Sequence, residues 1–67
     1  MTARLTIALI PDADSALDRL CEATGLKKVD VINRAIQVYE AIDDEQRAGK
    51  TWLVRDSVGN EERVRFL

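Results

Sequence analysis

The hydrophobic positions of this chain change period twice. From Arg4 to Ile10, Leu5, Ile7 and Leu9 alternate with Arg4, Thr6 and Ala8, the period-2 pattern of a strand with two unlike faces. A short N-terminal strand is predicted, with one face that wants burial. Pro11 has no N–H for a ladder and marks the strand's end. Asp12 offers a helix N-cap, and Asp14 adds negative charge at the helix's positive end. Ala13, Ala16, Leu17, Leu20 and Cys21 then recur at helical spacing up to Thr24, and Gly25 suits a helix end that needs positive φ.

A second helix is predicted from about Lys27 to about Ala48, carrying Val31, Ile32, Ala35, Ile36, Val38, Tyr39 and Ile42 in a broad apolar stripe. Its end, Asp43 to Arg47, reads as solvated. After Gly49 the period returns to two. Trp52 and Val54 alternate with Leu53 and Arg55, and Arg63-Val64-Arg65-Phe66 alternates beyond the turn-rich run Asp56 to Asn60. This predicts a β-hairpin with Trp52, Val54, Val64 and Phe66 on one face, a surface for closing a core, linking dimers or holding a partner.

The expected fold is therefore mainly α with a short N-terminal strand, in the order β-α-α, followed by a C-terminal β-hairpin. Residues 1–48 would form the dimerisation and binding domain and residues 49–67 an extension. No second strand of similar quality lies near the first. Its simplest ladder partner is the same strand from a second copy, paired antiparallel across a two-fold axis. Size favours this too, since a chain of 67 residues buries only ~60% of its unfolded surface and is marginal alone. The expected dimer core draws Leu5, Ile7 and Leu9 from the strand and Leu17 and Leu20 from the first helix. The second helix adds Val31, Ile32, Ala35, Ile36 and Tyr39. Cys21, on the apolar stripe, reads as a small buried hydrophobe.

Composition narrows the chemistry. With no His and one Cys, the usual zinc ligand sets are excluded, and neither metal nor cofactor is expected. The three glycines stand apart at 25, 49 and 59, so there is no phosphate-cradling loop. Ser15, Ser57 and Cys21 lack a placed base, and an enzyme is not expected. No apolar run approaches the length of a membrane span, and no basic region followed by an apolar stretch opens the chain, so a cytoplasmic protein is expected. A net charge of -2 and a pI near 5.0 mean that any nucleic-acid contact must rest on local placement of Arg and Lys.

Taken jointly, RLTIAL, a helix of thirteen or so residues, and the run TGLKKVDVINRAI resemble the ribbon-helix-helix family of MetJ/Arc-type DNA-binding proteins over residues 3 to about 47. The resemblance implies a homodimer whose intermolecular two-stranded ribbon enters the DNA major groove. Arg4, Thr6 and Ala8 would meet base edges: Arg binds guanine bidentately, Thr hydrogen-bonds or touches a methyl, and Ala packs on a thymine methyl. Lys27, Lys28 and Val29, at the start of the second helix, would meet a phosphate. The implied function is a sequence-specific double-stranded DNA-binding transcriptional regulator, a repressor or autoregulator. Two alternatives stay open. Residues 19–36 also fit a loose helix-turn-helix pattern with the hairpin as a wing, and small members of the family are often antitoxins, whose C-terminal extension would hold a toxin.

Overall fold

A computed structural model describes residues 2–65; Phe66, expected on the hairpin's apolar face, lies outside the described residues. Helix α1 spans Pro11–Thr24 and helix α2 spans Lys28–Arg47, followed by strands β1, Trp52–Arg55, and β2, Glu61–Val64. The order is thus α-α-β-β, which overturns the expected β-α-α order, its N-terminal strand and the intermolecular ribbon built on that strand. Residues 2–10 are outside any strand and exposed throughout. The reason is that a strand is a relation between two segments. The pairing-competent segments within this chain, 52–55 and 61–64, pair with each other, and alternation alone supplies no ladder.

The first helix also begins earlier than Asp12 suggests. Pro11 occupies its first turn, where a fixed φ suits the helix and a missing N–H costs nothing. Ile10 is the N-cap, with φ -68° and ψ 156° and no side-chain hydrogen bond. Its carbonyl accepts from the Asp14 N–H at 2.9 Å. Asp12 and Asp14 therefore sit inside the first turn, complementing the positive helix end rather than capping it. At the other end Gly25 adopts φ 73° and donates its N–H to the Cys21 carbonyl at 2.9 Å. The hydroxyl of Thr24 donates to the Leu20 carbonyl and accepts from the Leu26 N–H, closing the turn.

Helix α2 ends in a Schellman motif. The Lys50 N–H reaches the Glu45 carbonyl, the Gly49 N–H reaches the Gln46 carbonyl, both at 3.0 Å, and Gly49 takes φ 81°. Beside it, Lys50 Nζ pairs with Glu45 Oε2 at 2.7 Å and Arg47 Nε with Asp43 Oδ2 at 2.6 Å. The Asp43 hydrogen bond raises the Arg47 pKa above its usual value.

The chain divides after Ala35 into two compact units, with α2 running as one helix through the division. In the first unit, Leu17 of α1 and Val31 of α2 are the buried apolar side chains, with Ala16, Cys21, Leu26 and Ile32 half-buried. In the second, β1 and β2 pair antiparallel with Trp52 opposite Val64 and Val54 opposite Glu62. Trp52, Val54 and Val64 thus share a face, and Glu62 joins them. Arg55 Nε donates to Glu61 Oε1 at 3.0 Å across the pair.

Asp56 organises the hairpin loop. Its Oδ1 accepts from the N–H groups of Val58 at 3.0 Å and Asn60 at 2.9 Å. The Asn60 bond, foremost, holds its carboxyl below the ordinary carboxylate range. Because the folded value is the lower one, the contribution is present above the unfolded pKa of ~3.9 and is lost as pH falls through the folded value. The protection factors of the Val58 and Asn60 amides, taken relative to the intrinsic exchange rate at each pH, should therefore fall on acidification in the native chain and not in Asp56→Ala. Protection in the native chain that is flat across this range would contradict the role given to Asp56.

Candidate nucleic-acid interface

The residues singled out for DNA contact all lie in the first unit. Arg4, Thr6 and Ala8 are exposed on the segment that leads into α1, and Arg4 makes no hydrogen bond or ion pair among the described residues. Lys27, Lys28 and Val29 are exposed at the start of α2. The Lys27 carbonyl accepts from the N–H groups of both Asp30 and Val31 at 3.0 Å, so Lys27 is the point from which the helix propagates. The N–H groups of Lys28 and Val29 have no acceptor among the described residues. These free donors, the positive end of a 20-residue helix and two ammonium groups in sequence make a local preference for an anion.

One neighbour tempers that preference, and the sequence did not disclose it. Lys28 Nζ lies 3.9 Å from Asp18 Oδ1, a solvated pair joining α1 to the start of α2. Ten positions apart on different helices, the two residues carry no periodic signal that could have linked them. At 3.9 Å and in solvent the pair is weak, and Lys28 keeps most of its freedom to turn outward.

The formal charge is unevenly spread. Residues 1–35 carry five basic and five acidic side chains, whereas residues 36–67 carry five basic and seven acidic. The chain's whole negative excess therefore belongs to the second unit, with Glu40, Asp43, Asp44 and Glu45 concentrated on one stretch of α2. On α2, Asn33 Nδ2 donates to the Val29 carbonyl at 2.7 Å, which ties one of its amide protons to the helix.

The expected dimer-core residues fall into two groups. Leu17 and Val31 are buried and Ile32 half-buried, while Leu5, Ile7, Leu9, Leu20, Ala35, Ile36 and Tyr39 are exposed in the single chain. On the hairpin, Trp52 and Val64 are half-buried and Val54 is exposed. Trp52 lines an open recess with Ala41, Asp44, Glu45, Lys50 and Thr51, neighbours that alternation alone could not name. Among the described residues no cluster of His, Cys, Asp or Glu could hold a metal ion, and no helix is long and apolar enough to cross a membrane. Comparisons with protein-family models, with curated proteins and with solved structures return no match to this chain.

Proposed function

We propose that this chain is a sequence-specific double-stranded DNA-binding regulator that acts in the cytoplasm as a homodimer. The observation that carries the reading is the start of α2, where free N–H groups and the exposed Lys27 and Lys28 offer a phosphate site in the unit that carries no net acidic charge. The exposed arm before α1 supplies Arg4, Thr6 and Ala8 to base edges, in keeping with their hydrogen-bonding and methyl-packing chemistry.

Exposed surface supports the second copy. Leu5, Ile7, Leu9 and Leu20 are apolar surface that a partner would remove from water. Selection of bound duplexes from a random-sequence pool by the purified full chain tests the proposal. A recovered motif with two-fold symmetric half-sites is expected, and a pool that stays random through successive rounds would refute sequence-specific binding.

A second reading, an antitoxin-type module, draws on the exposed Leu53, Val54 and Val58 of the hairpin. A stoichiometric complex with a protein expressed from the adjoining coding region would support that reading.

A further inference from the structure

Strands β1 and β2 form a sheet of two strands, so β1 has a neighbour on one side and an open edge on the other. Opposed residues in an antiparallel pair alternate between those that exchange both backbone hydrogen bonds and those that exchange none. At the loop end the Asp56 N–H donates to the Asn60 carbonyl at 2.9 Å. Counting back along the register, Val54 opposite Glu62 and Trp52 opposite Val64 are the bonded pairs. Leu53 and Arg55 consequently aim their N–H and C=O groups at the open edge.

That edge has none of the devices that keep exposed strands apart, such as charge in mid-strand, proline or a bulge. Trp52, Leu53 and Val54 are uncharged and place apolar side chains on both faces, with Leu53 and Val54 each 56% exposed. Two strands of four residues also make a marginal sheet by themselves.

We propose that the open edge of β1 is an interface for a second copy of this chain. The two β1 strands pair antiparallel across a two-fold axis, giving a four-stranded sheet in the order β2-β1-β1-β2. Self-complementarity selects this occupant. A two-fold axis perpendicular to a sheet keeps each face on its own side, so a residue can oppose only residues an even number of positions away in sequence. Centred on Leu53, the pairing sets Leu53 against its own copy, Trp52 against Val54 twice, and Arg55 against Thr51 twice. Aromatic and β-branched residues are favoured cross-strand partners, and no like charges meet. The edge of β2 offers nothing equivalent. Centring on Glu61, Glu62 or Arg63 opposes each to its own charge, and centring on Val64 opposes Arg63 to Arg65. This interface does not depend on DNA binding, and it would let one copy contact a second through the hairpin whatever the first unit does.

The test uses the full chain without DNA. Directly opposed Cα atoms in such a pair lie about 5.5 Å apart, within disulfide range. In a Cys21→Ser background, Leu53→Cys should cross-link into a covalent dimer under mild oxidation about tenfold faster than Val58→Cys, although Val58 is the more exposed residue at 80%. Equal rates at the two sites, or no cross-link at Leu53→Cys, would overturn the proposal. Leu53→Lys, which sets like charges at the axis, should halve the mass of the assembly in sedimentation equilibrium; an unchanged mass would overturn it too. Should that variant fail to fold, the cross-linking rates decide alone.

Discussion

Leu17→Ala is expected to remove most of the stability of the protein. Leu17 and Val31 are each 7% exposed and are the buried apolar side chains among the described residues, so little else in the single chain can compensate for a cavity at Leu17. Leucine-to-alanine truncation in a core costs ~2–5 kcal/mol, and a domain this small commands only ~3–5 kcal/mol in all. In urea unfolding followed by circular dichroism, the midpoint should fall close to zero denaturant. A loss under about 1 kcal/mol, the size of an average substitution, would show that the stabilising core lies elsewhere. Leu20→Ala extends the test to the second copy. Leu20 is 47% exposed in the single chain, so a loss approaching that of Leu17→Ala at high protein concentration, shrinking as the protein is diluted to monomers, is what cover by a partner would produce.

The second large effect concerns DNA. If Arg4 meets a guanine edge, Arg4→Ala should cost ~1–3 kcal/mol on the preferred sequence and relax discrimination at one base pair in each half-site. Lys28→Ala should instead weaken binding to all sequences alike and shallow the salt dependence by about one unit of slope. The balanced charge of the first unit makes the two effects separable, because background attraction is weak. A silent Arg4→Ala beside loss of sequence preference in Arg34→Ala or Gln37→Ala would move the reader onto α2.

The parts of the fold that the sequence disclosed are those set by local backbone chemistry. Gly25 and Gly49 end their helices with positive φ, and the turn-rich run from Asp56 to Asn60 closes a hairpin, because each signal acts within a few residues. The N-terminal segment failed as a strand for the opposite reason: Leu5, Ile7 and Leu9 alternate correctly, yet alternation says which faces a strand would have and not whether a ladder exists. Asp12 misled because proline at the first helical position sets the start more firmly than a nearby capping side chain. The stripe of α2 told that Ile36 and Tyr39 are apolar at helical spacing without telling what covers them, and both are exposed. For the candidate site, Arg4, Lys27 and Lys28 could be read from residue type and position. The free N–H groups beside the two lysines, the Asp18 carboxylate and the acidic excess confined to residues 36–67 emerged only with the elements in place.

Sequence-specific binding is tested most directly by fluorescence anisotropy, titrating the full chain onto the duplex recovered by selection and onto a shuffled duplex of the same composition across a series of salt concentrations. The selected duplex should bind at least ~10³-fold more tightly at physiological salt, with both affinities falling linearly in log–log form as salt rises. Equal affinities for the two duplexes at every salt concentration would contradict it.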